Sequence, residues 1–74
     1  MEEKILEIIN IIRQSKGISQ LTSIQSDNNL RNDIGFSSFD LAELTVRIED
    51  EFDIDIFEDG LINTIGEIFQ KIAK

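Results

Sequence analysis

The stretch Asp33-Ile34-Gly35-Phe36-Ser37-Ser38-Phe39-Asp40-Leu41 carries the side chains best placed for chemistry. A turn glycine leads to two adjacent hydroxyls, and the second hydroxyl opens a helix with an acidic outer face. The chain contains no His and no Cys. It therefore lacks the usual general base and the usual thiol. A hydroxyl held at a helix entrance is then the natural point of attachment for another group. The plain alternative is that Ser37, Ser38 or both only cap the helix, which is the commonest task of serine there. A cap leaves the surroundings unaccounted for. Asp40, Glu43, Val46, Glu49 and Asp50 fall on adjoining turns outside the predicted core stripe. Val46 is an apolar residue among charges, as a contact point in a docking surface would be. Arg47 lies between Glu43 and Asp50 and is placed for helical ion pairs.

The other acidic clusters support no metal site or catalysis. A calcium loop of the EF-hand type needs oxygen ligands at fixed positions, a central glycine and a final Glu. Counting from Asp55 places Gly60 correctly but puts Phe57 third and Gly66 twelfth. Counting from Asp27 puts Arg31 fifth and Asn32 sixth. Both registers fail. Paired carboxylates would need a pocket to shift their pKa values, and a domain this small has little room for one. No catalytic residues, no metal ligands and no enzyme activity are expected.

The elements that must position the serines are read from periodicity. With 74 residues and 41% apolar side chains, the chain is expected to form one domain that buries only about 60% of its surface. Ile5, Ile8, Ile9 and Ile12 predict a helix from about Glu2 to Ser15, with Leu6 and Ile11 widening its stripe. Glu2 and Glu3 suit its positive end, and Arg13 and Lys16 its negative end, before Gly17 closes it. Ile18 to Gly35 reads as a long connection rich in turn-forming Ser, Thr, Asn and Asp. Ile18, Leu21, Ile24, Leu30 and Ile34 are expected to pin it down, with a short helical turn near Ser19 to Ile24. A second helix runs from about Ser38 to Phe52, facing inward through Leu41, Leu44, Thr45, Ile48 and Phe52. Ser37 and Asp40 stand at capping-box spacing before it. Asp53 to Phe57 alternates like a strand but has no partner, so an extended linker burying Ile54 and Ile56 is expected. Glu58 to Ile62 is predicted to make one helical turn broken by Gly60. Thr64 and Glu67 form a capping box for the last helix, whose inward side is Ile65, Ile68, Phe69 and Ile72. Lys71 and Lys74 suit its C-terminal end. The fold class is all-α, a small bundle of three to four helices with a long loop between the first and second main helices.

The net charge is −8, from fifteen acidic and seven basic side chains. Eleven of the acids, against Arg47 alone, fall between Asp33 and Glu67. Nucleic acid is a poor partner for such a surface, and a basic protein surface is a good one. No apolar run approaches the ~20 residues of a membrane span. The N-terminus lacks the signature of a signal peptide. A soluble, cytoplasmic, monomeric protein is expected.

The stretch from Asp33 to Leu44 resembles the prosthetic-group site of acyl carrier proteins, whose pattern is Asp-Leu-Gly-x-Asp-Ser-Leu-Asp-x-x-Glu-Leu. Ile48-Glu49-Asp50-Glu51-Phe52-Asp53-Ile54-Asp55-Ile56 continues the likeness. Thr64-Ile65-Gly66-Glu67-Ile68 is similar to the Thr-Val-Gly-Asp-Val start of their last helix. The resemblance implies that Ser38 receives 4′-phosphopantetheine from coenzyme A. The agent would be a phosphopantetheinyl transferase (carrier-protein synthase) using its own Mg²⁺. The arm would supply the thiol on which acyl groups ride as thioesters, in fatty acid or polyketide-type biosynthesis. Ser37, Asp40, Glu43, Val46, Arg47, Glu49 and Asp50 would form the face that docks on basic patches of the transferase and of acyl-processing enzymes. This sequence departs from the pattern in several places. Ser37 replaces the Asp before the modified serine, and Phe39 replaces the Leu after it. The segment Glu58 to Asn63 is shortened and contains Gly60, with Phe57 where Pro is usual. Arg47 puts a positive charge on the docking face. The departures point to a specialised carrier. Peptidyl or aminoacyl (D-alanyl-type) cargo, or an unmodified acidic interaction domain, are the alternatives.

Overall fold

The isoleucines of the first segment wind α1, Glu2–Ser15, and Ile5, Ile8, Ile9 and Ile12 are buried on its inner side. In this computed structural model, which describes residues 2–58 and 60–73, two more helices follow: α2, Ser38–Phe52, and α3, Ile65–Ala73. The described residues include no strand, only an isolated antiparallel bridge between Asn29 and Thr64. The all-α bundle expected from periodicity is what forms, with three helices among the described residues. β-branched isoleucine is a modest helix former, so burial of one face and not intrinsic propensity holds α1 together. Leu6 packs partly against the core, whereas Ile11 points outward at 40% exposure.

α1 ends with two backbone bonds of the Schellman type, Gly17 N–H to Gln14 C=O at 3.0 Å and Ile18 N–H to Arg13 C=O at 3.0 Å. The basic residues at this end do more than offset the helix dipole. Arg13 is buried, and its guanidinium donates to the carbonyls of Ser19 (3.0 Å) and Ile34. Lys16 reaches across to Asp40 at the start of α2. At the other end of the same pair, Lys4 meets Glu51 at 3.4 Å.

The long connection is held by side-chain bonds to its backbone. Asn10 of α1 accepts from Leu21 N–H at 2.8 Å and donates to Leu21 C=O at 2.9 Å. Ile24, Leu30 and Ile34 are buried as expected, and Ile18 and Leu21 are half-buried. The helical turn expected over 19–24 is absent; a hydrogen-bonded turn lies instead over 30–33. Asn29 starts it, its side-chain oxygen accepting from the N–H groups of Arg31 and Asn32 at 2.9 Å each. Leu30 N–H bonds Asn63 C=O at 2.8 Å, and Ile65 N–H bonds Asn28 C=O at 3.1 Å, so the loop and the start of α3 close on each other.

After α2, Asp53 caps the helix in a left-handed conformation, its N–H bonding Glu49 C=O at 2.8 Å. The linker buries Ile56 fully and Ile54 only in part. It is extended for a shorter span than its alternation suggests. Asp55 Oδ1 accepts from Phe57 N–H at 2.9 Å and starts a turn over 56–58. The helical turn expected over Glu58 to Ile62 includes Asp59, and the charge expected at the end of α3 includes Lys74; both lie outside the described residues. The Thr64–Glu67 capping box forms, with Glu67 N–H to Thr64 Oγ1 at 3.3 Å and Thr64 N–H to Glu67 Oε1 at 3.2 Å.

Candidate functional site

The path to the serines is set by the turn at 30–33 and by Gly35. Phe36 N–H returns to Leu30 C=O at 3.0 Å, and Phe36 is buried as a core anchor. Gly35 has φ +86°, in the region that L side chains rarely adopt. This reversal delivers Ser37 to the N-cap of α2 in an extended conformation, φ −88° and ψ 179°. Ser37 Oγ accepts from Asp40 N–H at 3.4 Å and donates to Asp40 Oδ2 at 3.0 Å. The Asp40 carboxylate in turn accepts from Ser37 N–H at 2.8 Å. The capping box is therefore complete, with Asp in the role usually taken by Glu or Gln.

That arrangement gives the two serines different roles in the helix. Ser37 is the cap, and Ser38, the first helical residue, is exposed and not used for capping. Among the described residues, the one side chain that bonds Ser38 Oγ is Arg31, whose Nη2 donates to it at 3.3 Å. Ser38 stands on the rim of an open cleft of about 230 Å³ lined also by Arg31, Leu41, Ala42, Phe57 and Leu61. Phe39, next in sequence, is 88% exposed. A slightly larger groove, about 290 Å³, lies along α1 between Glu3, Leu6, Glu7, Asn10, Ile11 and Gln20. It shares no residue with the serine cleft.

Asp40 is not where its spacing places it. It is expected on the outer, partner-facing side of α2 but is 9% exposed, turned inward onto Ser37 and Lys16. The reason is geometric. A third helical residue that completes a capping box must fold back over the cap, and Lys16 projects from the end of α1 to meet it there. Burial by itself raises the Asp40 pKa. The Lys16 ammonium and the Ser37 N–H and hydroxyl outweigh it and hold the carboxyl below its ordinary value of 3.8.

The rest of the expected face does lie together on α2. Val46 is 59% exposed, and Glu49 and Asp50 are exposed beside it. Glu43 is half-buried and accepts from Arg47 Nε at 2.9 Å, the helical pair expected from the spacing. Ser37 is exposed at the near end of this face. Arg31, Phe57 and Leu61 also belong to the site, lining the cleft beside Ser38, although no motif marks them for it. Arg31 did leave a signal, as the single basic residue between Lys16 and Arg47. Leu61, 81% exposed, left none beyond being apolar in a polar segment.

Residues 6–72 match the family described as phosphopantetheine attachment site. The chain belongs to this family. It is 31% identical over 68 residues to an acyl carrier protein of Prochlorococcus marinus, covering 89% of this chain and 84% of that protein. It is also 31% identical over 71 residues to an acyl carrier protein of Syntrophobacter fumaroxidans, covering 93% and 86%. No solved structure matches the chain significantly. The prosthetic group of the family is 4′-phosphopantetheine, and the residues here fit it. An exposed hydroxyl is available, a guanidinium touches that oxygen, and a largely apolar cleft opens beside it. No helix among the described residues is long and apolar enough to cross a membrane.

Proposed function

We propose that Ser38 Oγ is the attachment point of 4′-phosphopantetheine and that the chain works as a monomeric, cytoplasmic carrier of acyl groups in fatty acid or polyketide-type biosynthesis. The observation that carries this reading is the division of labour between the serines. Ser37 performs the capping, so Ser38 Oγ is exposed at the head of α2 with its proton and lone pairs free of the helix.

In attachment, Ser38 Oγ forms a bond to the phosphorus that carries pantetheine in coenzyme A. The bond from that phosphorus to the adenosine half breaks, and the serine proton passes to a base of the transferase. No base on this chain is offered for that step. The chain lacks His, and the nearest helix carboxylate, Asp40, is committed to Lys16 and Ser37. Once bound, the arm supplies the thiol that carries cargo as a thioester. The domain contributes the anchor, an acidic face for basic partners, and a cleft beside the anchor. The relatives named as acyl carrier proteins support a carrying role over a catalytic one.

The test is intact mass after incubation with coenzyme A and a promiscuous phosphopantetheinyl transferase. Wild type and Ser37→Ala gain one phosphopantetheinyl group, and Ser38→Ala gains none. Ser37→Ala also loses about 0.5–2 kcal/mol of stability with its cap. A wild type that never gains the group, or a Ser38→Ala protein that does, overturns the assignment. The serine in place of Asp before Ser38 favours aminoacyl cargo as the second reading. Intact mass of the protein from its native host separates the two, since it weighs the cargo with the arm.

A further inference from the structure

We infer that Arg31 is a binding residue for the phosphodiester of the arm, holding that phosphate against the head of α2; the inference rests on Ser38 being the attachment point. Arg31 Nη2 lies 3.3 Å from Ser38 Oγ, the oxygen that becomes part of the diester. Once attached, the phosphorus would be one bond beyond that atom, and its two non-bridging oxygens, which share one negative charge, two bonds beyond it, within reach of the same guanidinium. A planar guanidinium matches such a pair of oxygens with two parallel N–H donors.

The local field supports this. The protein as a whole is strongly acidic, with a net charge of −8, so an added phosphate is disfavoured over most of its surface. The head of α2 is an exception. Its acid, Asp40, faces away and is paired with Lys16. Its cap, Ser37, is uncharged and occupied with Asp40. The positive end of the helix adds to the attraction. Arg31 itself makes no ion pair with any other described residue. Its backbone is fixed rather than free, since the N–H of Arg31 bonds Asn29 Oδ1 at 2.9 Å within the turn over 30–33. The same guanidinium lines the cleft with Leu41, Ala42, Phe57 and Leu61, so a phosphate held there starts the arm along the cleft wall.

The experiment compares apo and loaded forms of wild type, Arg31→Gln and Arg31→Lys, with loading first verified by intact mass at Ser38. Melting of each pair and the phosphorus NMR resonance of each loaded protein are measured. Arg31 is exposed, so all three apo proteins are expected to fold alike. Relative to wild type, the change in Tm on loading becomes less favourable by about 2–4 °C in Arg31→Gln and by less in Arg31→Lys. The phosphorus resonance of loaded Arg31→Gln moves to that of the same serine phosphodiester in the denatured loaded protein, and high salt moves the wild-type resonance the same way. Equal loading shifts and one common resonance across the three proteins overturn the role of Arg31 while leaving Ser38 intact. A protein that never loads overturns the Ser38 assignment and this inference with it.

Discussion

Asp40 shows how one side chain can serve stability at a site where charge suggests docking. Its carboxylate completes the cap of α2 and ties the end of α1 to it through Lys16. Asp40→Asn keeps an acceptor for the Ser37 N–H but removes the charge facing Lys16. At neutral pH the variant is expected to be less stable by about 1 kcal/mol. The pH dependence has a defined sign. The folded pKa lies below the ordinary 3.8, so the charged carboxylate stabilises the fold in full above the unfolded pKa of about 3.9. That contribution is lost as pH falls through the folded value. Denaturation of both proteins from pH 8 downward should give a constant gap to about pH 5 that closes in the acid limb. A gap that widens on acidification would contradict this account. The inward turn of Asp40 was half legible in the sequence. The Ser37–Asp40 spacing announced a capping box, yet helical spacing alone put Asp40 outside the apolar stripe. What decided its position was Lys16, twenty-four residues earlier, and no local pattern encodes that meeting.

At the scale of the element, α2 is built against its own dipole. Its last turn carries Glu49, Asp50 and Glu51 and no basic residue, followed by Asp53 at the cap. Acids at a helix C-terminus are unfavourable by about 0.3–1 kcal/mol each, and only Glu51 has a described cation, Lys4, beside it. An arrangement that costs stability and points to solvent is what the proposed docking on a basic partner would require. Glu43 is the weaker contributor, because Arg47 already neutralises it. Reversing Glu49 and Asp50 together to Lys should therefore separate two readouts. Modification by the transferase slows on the order of tenfold in kcat/KM, while the melting temperature stays level or rises. A variant that is modified at the wild-type rate removes these two acids from the docking face. The helices themselves were legible because an apolar stripe repeating every 3.6 residues states both length and face. The connection between them was not. Its shape depends on Asn10, Arg13 and Asn28 finding backbone groups far along the chain. Local pattern marks Arg13 for the helix end and Asn28 for a turn, and names none of these distant partners. Gly66 is a similar case. Its N–H bonds Ser26 C=O at 2.8 Å, and a Cβ there would meet that oxygen at 3.0 Å, a close approach that nothing around Gly66 in sequence foretells.

At the scale of the whole molecule, the same excess of negative charge acts on folding and on encounter with opposite signs. Fifteen acids against seven bases on a chain of 74 residues repel one another across a small radius. Self-repulsion of this kind destabilises the compact state. The core that opposes it is limited to one cluster of buried residues spanning all three helices and the loop. In the proposed function, docking on a basic enzyme would draw on the identical charges, now as attraction. Screening length falls from roughly 10 Å at 0.1 M to 3 Å at 1 M ionic strength. Raising salt over that range should therefore stabilise the apo protein, seen as a rising Tm, and slow its modification, seen as a falling kcat/KM. The Glu49→Lys, Asp50→Lys double variant serves as the internal control. With less repulsion to screen and less attraction to lose, both of its salt slopes should be shallower than those of the wild type. A Tm that falls with salt would assign the acids a net stabilising role in the fold. A modification rate indifferent to salt would mean that contacts such as exposed Val46 and Phe39, and not charge, bring the partner to Ser38.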